Sequence, residues 1–414
     1  MKKLSRVFVV VIIGCMLWAV LSWAVRKTDA IIHPVEETEK ITIDWAELYP
    51  FEDGQARMTA DSRKPKDIFR RIYHYVKDKC EDYTSKKLMG YHSIVEAAKR
   101  YEDFAGWNIA PVFGYNPVVK ISGNYLSTFT KSTDITHSAQ STIDFAEFCR
   151  EQGAEFMYIN LPMKICVSED KDFSGVLDFS NQNATRFLRM IESAGVRCYD
   201  MRELLHSEGM SHHAAFFDTD HHWRPETGLW AARHILSFVG GNAEILNPEN
   251  FDKVIYREWF LGSQGKKLTL SRCKPDDISL IYPKFTTHIN FCDPIKGINT
   301  SGDFSVTYEM QHIASKDYYE KNPYAAYKYA DQPLTAIHNY MNTDGKKILF
   351  LHDSFSNCVI PFVGLGVKDT HEIDLRHFTG SIKSYIRSYR PDFVIAMYHS
   401  GVPGGVDNIM YDFR

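Results

Sequence analysis

The sequence lacks a large charge imbalance: 48 basic against 52 acidic residues leave a formal net charge of −4 over 414 residues. That excludes the broad electrostatic footprint of a polyanion binder, and no nucleic-acid partner is expected. There is no CxxC pair and no comparable metal-ligand spacing among the 8 cysteines, so no metal or cofactor is expected either. Internal repeats and low-complexity tracts are also missing, which removes repeat arrays and disordered tails. What remains is ordinary globular composition, 44% hydrophobic and 24% charged, enough for one large core or two modest ones. Aromatics are plentiful, with 23 Tyr and 7 Trp, and serve stacking on sugars or internal packing equally well.

A small-residue cleavage site is absent after the first apolar run. Lys2, Lys3 and Arg6 precede residues 7–25, and Arg26 and Lys27 close the run. At about 1.5 Å per residue it nearly matches a hydrocarbon core of roughly 30 Å. Residues 1–27 therefore read as an uncleaved signal anchor, making the chain a single-pass cell-membrane protein with its main domain outside the cytoplasm. Cys15, after Ile12, Ile13 and Gly14, is similar to a lipoprotein box, but the apolar run continues well past it, which disfavours lipidation.

Residues 28–64 read as a polar stalk with juxtamembrane aromatics at 44–51, and residues 65–130 as a lead-in of amphipathic helix followed by a hairpin within 112–129. A regular rhythm then begins in a domain spanning 131–414. A helix at 141–152 stops at Gly153 before a strand at 155–161. A second, capped by Asn181, stops at Gly195 before a strand at 196–199. Pro225 starts a third. Residues 242–340 lack periodicity and read as an irregular insertion or cap. Strands at 348–351, 370–375 and 393–397 follow, with a short helix after Ser354 and another through Ile382 and Ile386. Such alternation predicts a mostly parallel sheet covered on both faces. Cys80, Cys149, Cys166, Cys198 and Cys358 read as buried apolar groups, whereas Cys273 and Cys292 fall in polar surroundings where a bridge is conceivable.

Two stretches carry chemistry. Residues 216–228, FFDTDHHWRPETG, concentrate carboxylates and imidazoles ahead of a helix start, and residues 348–354 form an apolar strand ending in His352, Asp353 and Ser354. A serine hydroxyl needs a base held in one tautomer by an acceptor. Asp220 and His222 are two apart and project to one side of an extended loop, so Asp220 can orient His222 toward Ser354, while His221 points elsewhere. Strand carboxyl ends collect such groups in parallel sheets. For each residue alone the structural reading is commoner: a serine after a strand is usually a helix cap. A metal site is the chemical rival, because His212, His213, Asp218, Asp220, His221 and His222 crowd together, though it gives Ser354 no task.

These motifs, with Pro162-Met163-Lys164 after an earlier strand, WFLGS at 259–263 and IDLRHF and RPDFVI near the end, resemble the DHHW family, relatives of the alginate O-acetyltransferase proteins within the SGNH hydrolase-like superfamily. The resemblance implies a three-layer α/β/α fold with the Asp-x-His-Trp motif ahead of the nucleophile, a permuted order. It assigns Asp220 to orientation, His222 to the base and Ser354 to the nucleophile. His352 replaces a glycine frequent in relatives. Oxyanion-hole candidates are the Ser354 N–H, Asn160 and Gly364. Lys164, Trp223 and His352 are candidates for substrate binding. The expected activity is O-acetyl transfer to a cell-surface or secreted polysaccharide, from an acetyl donor that a membrane acyltransferase could supply. A carbohydrate esterase with the same triad and a non-catalytic glycan-binding scaffold are the alternatives.

Overall fold

A computed structural model describes residues 117–166, 169, 178–343, 345–404 and 408–414, with scattered positions before them. The chain divides into two units, Met1–Ala105 and Gly106–Arg414. In the first, Phe51–Glu52 pairs antiparallel with Gln55–Ala56. The anchor, the stalk and the helical lead-in fall largely outside the described residues. No helix among the described residues is long and apolar enough to cross a membrane.

The second unit begins with a small antiparallel sheet in which the two-residue strand Ile109–Ala110 pairs with β1 (Val118–Ser122), and β1 with β2 (Tyr125–Ser127). There follow α1 (Thr136–Glu151), β3 (Glu155–Leu161), α2 (Ser180–Ser193), β4 (Arg197–Asp200), α3 (Met201–Ser207), α4 (His212–Ala215) and α5 (Pro225–Phe238). Next come β5 (Phe251–Phe260), α6 (Ser263–Leu268), β6 (Asp276–Pro283), β7 (Ile289–Asp293), β8 (Ile298–Gly302) and β9 (Leu334–Asn339). The last are β10 (Lys347–His352), α7 (Ile360–Val363), β11 (Asp369–Ile373), α8 (Ile382–Tyr389) and β12 (Phe393–His399). Helices α1 and α2 end just before Gly153 and Gly195, whose φ values of 80° and 84° turn the chain back into a strand at little steric cost.

The central sheet has eight strands in the order β8-β7-β9-β11-β10-β12-β3-β4. The strands from β11 to β4 run parallel, and β9, β7 and β8 extend them antiparallel. The three latter strands, with the separate β5–β6 hairpin, come from 242–340, so that segment is not the irregular insertion its sequence suggests. Polar residues at alternate positions hid the pattern: only one face of β9 is buried.

The parallel strands are apolar on both faces, and their alternation sorts the core into two layers. Met157, Ile159, Ile348, Phe350, Ile395 and Met397 pack with α3, α5 and α7. Phe156, Tyr158, Leu349, Leu351, Val394 and Ala396 pack with α1, α2 and α8. Full burial of each such side chain is worth about 1.5–3 kcal/mol, which makes the sheet a rigid platform. The short helix expected after Ser354 is a 3₁₀ turn, Ser354–Cys358, followed by α7. Cys273 and Cys292 are both unbridged thiols, and Cys273 Sγ donates to the Thr269 carbonyl at 3.2 Å.

Candidate active site

Strand β10 delivers Ser354 to the carboxyl edge of the sheet. Asp353 caps the turn that follows: its Oδ1 accepts from Phe355 N–H at 3.0 Å and its Oδ2 from His399 N–H, at the end of β12, at 2.9 Å. The nucleophile turn is thus tied to the neighbouring strand by one carboxylate. Ser354 opens the turn, where its backbone N–H has no intrahelical acceptor and is available to an oxyanion.

The base arrives on the loop between α4 and α5. Phe217 N–H donates to the His222 carbonyl at 3.2 Å and Arg224 N–H to the Ala215 carbonyl at 2.8 Å, closing the loop into a narrow hairpin. At its tip, Asp276 accepts from Asp218 N–H and Thr219 N–H, each at 2.8 Å, and from Thr219 Oγ1 at 2.7 Å. The Gly262 backbone lies so close that an added Cβ would sit 2.6 Å from Asp220 Cα and from the Thr219 carbonyl oxygen. Only glycine permits that approach. Next to it, Ser263 N–H donates to Asp220 Oδ2 at 2.6 Å.

So held, Asp220 Oδ1 accepts from His222 Nδ1 at 2.6 Å, and His222 Nε2 lies 2.7 Å from Ser354 Oγ. With Nδ1 carrying the proton, Nε2 presents its lone pair to the hydroxyl, the arrangement a general base requires. Burial opposes ionisation of Asp220, but the His221 and His222 imidazoles, with hydrogen bonds from His222 and Ser263, hold its carboxyl well below the usual range. Tyr324 stacks on the His222 ring, centroids 4.1 Å apart and planes at 14°, while its hydroxyl donates to the Ser354 carbonyl at 3.0 Å. Trp223 Nε1 donates to the Phe355 carbonyl at 2.8 Å, joining the loop to the nucleophile turn. His221 Nδ1 meets Ser263 Oγ at 2.9 Å and also lies 3.6 Å from Asp220 Oδ1, so both imidazoles face the carboxylate, contrary to the expectation that His221 points elsewhere, while His222 is the one bonded to Ser354.

The remaining sequence candidates occupy other positions. Lys164 is 1% exposed, and its Nζ donates to the Asp218 and Asp220 carbonyls at 2.9 and 2.8 Å. It supports the loop from beneath and cannot meet a sugar. Burial, only partly offset by Asp276, Asp220 and Asp218, brings its pKa down to about 7. Trp223 is wholly buried. His352 is buried too, with Nδ1 at 2.7 Å from Ser356 Oγ and Nε2 at 3.8 Å from Glu372 Oε2, whose partner is Lys328 at 3.1 Å. Gly364 sits against Ile337 and gives its N–H to the Ile360 carbonyl, so it offers no oxyanion donor. Asn160 lies at the end of β3, fully buried, with Nδ2 donating to Asp200 Oδ1 at 2.9 Å.

Sequence reasoning missed Tyr324, Ser263 and His399. His399 ends β12 with its ring 4.9 Å from Phe355, and burial lowers its pKa to about 4. A histidine closing an apolar strand was the available signal for it. Tyr324 had only the tyrosine richness of its segment.

The DHHW protein family matches residues 129–371. The chain belongs to the DHHW family. Among solved structures, this DHHW protein is similar to Bacillus cereus PatB1 with a sulfonyl adduct, at 20% identity and TM-score 0.60, over 73% of this chain and 100% of that one. A DHHW family protein from Eubacterium siraeum is 15% identical at TM-score 0.55, over 73% and 96% of the two chains. The O-acetyltransferase domain of Pseudomonas putida AlgJ is 12% identical at TM-score 0.39, over 69% and 91%. The first two share the fold. No curated protein matches the sequence.

Proposed function

We propose that this DHHW protein is an exported, membrane-anchored serine acyltransferase that O-acetylates a cell-surface or secreted polysaccharide. The observation that carries the reading is the continuous chain from Asp220 through His222 to Ser354, with separations of 2.6 and 2.7 Å. His222 takes the Ser354 proton as Oγ attacks the donor ester carbonyl. The tetrahedral oxyanion faces the Ser354 N–H, and collapse expels the donor alcohol, which leaves with the proton from His222. A sugar hydroxyl then gives its proton to His222 and takes the acetyl group, restoring the serine. Water in place of the sugar makes the same site an SGNH-type esterase, so exclusion of water decides the outcome. The membrane anchor at residues 7–25 would hold the site near a membrane acyltransferase able to supply the acetyl donor.

The test is product analysis. The protein is given an activated acetyl ester with and without neutral or uronic oligosaccharides, and products are resolved by mass. Acetylated sugar exceeding that made by Ser354→Ala supports the transferase, whereas acetate alone identifies an esterase. No Ser354-dependent turnover with glycan binding retained would leave a scaffold. Wild-type protein should also react at Ser354 with a fluorophosphonate or sulfonyl fluoride, and Ser354→Ala should not.

A further inference from the structure

Three chain segments meet where α4 begins. The stretch after β3 brings Cys166 and Glu169, the last turn of α3 brings His206, and the start of α4 brings His212. One ligand-type atom from each of the four lies within 4.8 Å of the others. Cys166 Sγ is 3.4 Å from His206 Nε2, and His206 Nε2 is 3.2 Å from His212 Nε2. Glu169 already approaches α4, accepting from His212 N–H at 2.9 Å and from Ser211 Oγ at 2.7 Å.

The convergence of four ligand-type atoms sets this cluster apart, and its protons can be placed. His212 Nδ1 lies 2.9 Å from the Met163 carbonyl oxygen, which can only accept, so Nδ1 carries the proton and Nε2 presents a lone pair. His206 Nε2 faces both that lone pair and the Cys166 sulfur. A proton on His206 Nε2 serves His212 and leaves the Cys166 sulfur as a weak second acceptor. Without that proton, two imidazole lone pairs oppose each other at 3.2 Å. A cation at the centre can take the place of that one shared proton, because both imidazoles and the thiolate then direct lone pairs to one point. Bond lengths of about 2.0–2.1 Å to nitrogen and 2.3 Å to sulfur in a tetrahedral site place such ligands at separations close to these. The Met163 carbonyl would then play the usual outer role of fixing a ligating histidine's tautomer.

We propose that Cys166, Glu169, His206 and His212 form a structural zinc site. A thiolate, two imidazoles and a carboxylate complete a closed tetrahedral set, which leaves no open position for substrate. On binding, Zn²⁺ displaces the Cys166 thiol proton to solvent and forms the Zn–S bond, with no change of oxidation state. Cys166 and His212 are buried while Glu169 and His206 are exposed, so the metal has a path in from the surface. Its effect would be to clamp the β3 loop, α3 and α4 together. Lys164, which supports the Asp220 carbonyl, and the hairpin that carries Asp220 and His222 both grow out of this junction. The metal so placed differs from one at Asp220, His221 and His222, which also converge.

The test uses the full-length protein, dialysed and analysed by inductively coupled plasma mass spectrometry, then stripped and reloaded with Co²⁺. About one zinc per chain is expected, and the cobalt form should show tetrahedral visible bands with a thiolate-to-metal charge-transfer band in the near ultraviolet. Cys166→Ser should abolish the charge-transfer band. His206→Ala, at an exposed position, should stay folded and weaken zinc binding by at least the roughly 10–100-fold that loss of a ligand's outer partner alone causes. His222→Ala and Ser354→Ala should keep the metal. Substoichiometric zinc after loading with Zn²⁺ overturns the proposal, as does a cobalt spectrum insensitive to Cys166→Ser, and loss of metal in His222→Ala would move the site to the triad.

Discussion

The two halves of the candidate active site are built in opposite ways. Ser354 is placed first by its own strand and the capping carboxylate of Asp353, with the Tyr324 hydroxyl and the Trp223 indole fastening the carbonyls of the turn, so the local sequence does most of the positioning. The base loop closes on itself through a few backbone bonds but takes the rest of its support from elsewhere. Asp276 holds its tip, Gly262 and Ser263 press on Asp220, Lys164 props its carbonyls, and Trp223 reaches across to the nucleophile turn. A strand end needs less help because the sheet fixes its start, whereas a loop must import rigidity from distant segments. Rate should therefore be more sensitive to remote changes around the base than to comparable ones around the nucleophile.

The largest effects test the reacting groups themselves. Ser354→Ala and His222→Ala should each lower ester turnover by roughly 10³-fold or more, measured as kcat/KM with an aryl acetate. Equal activity of either variant with wild type would remove that residue from the mechanism. The next pair compares the two supports directly. Gly262 abuts Asp220, and Gly228 in α5 abuts the Cys358 carbonyl behind the nucleophile turn. Alanine at either position should cost about 1–3 kcal/mol of stability through overpacking. Only Gly262→Ala should also lose rate by about 10²-fold, through displacement of the base. Equal loss of rate in both would erase the contrast between the halves.

Lys164 sharpens the contrast through pH. Its folded pKa near 7 lies below its ordinary value of 10.5, so between these values the unfolded chain binds more protons than the folded one. Stability should rise with pH across that window, and Lys164→Met should flatten the rise. Urea denaturation at several pH values from 7 to 10 reads this, and parallel curves for the two proteins would contradict it. The smallest effect belongs to His221. Its loss removes a contact with Ser263 worth about 1 kcal/mol, which corresponds to less than about a tenfold change in rate. A larger loss in His221→Ala than in His222→Ala would reverse the roles of the neighbouring imidazoles.

The same asymmetry decides what the sequence could disclose. Elements with two-sided apolar strands or glycine-stopped helices, such as β3, β10, β12, α1 and α2, are written in short-range pattern and are legible without coordinates. The pairing of Asp220 with His222 is legible too, since it depends on a two-residue spacing. Lys164, Trp223 and His352 read from sequence as facing the site but are buried, because a lysine after a strand, a tryptophan in a polar loop and a histidine at a strand end carry no local mark of what covers them. What buries them are partners such as the Phe355 carbonyl, 132 residues from Trp223. Tyr324 and Ser263 were invisible for the same reason: each acts through a contact made across the fold and leaves no periodicity behind. β7 and β8 escaped notice because an edge region with one wet face has little apolar signal to give.

That edge region has a further consequence for how the domain could be shortened. β9 covers the open side of β11 with a full antiparallel ladder, from Leu334↔Ile373 to His338↔Asp369. Excising residues 242–340 as a dispensable cap would strip this ladder away, leaving β11 with a row of unpaired backbone donors and acceptors beside the hydrophobic centre of the sheet. Such an edge recruits a strand from another molecule. A trimmed version would therefore fail by self-association before any question of substrate arose, and light scattering would register the defect ahead of any assay of turnover.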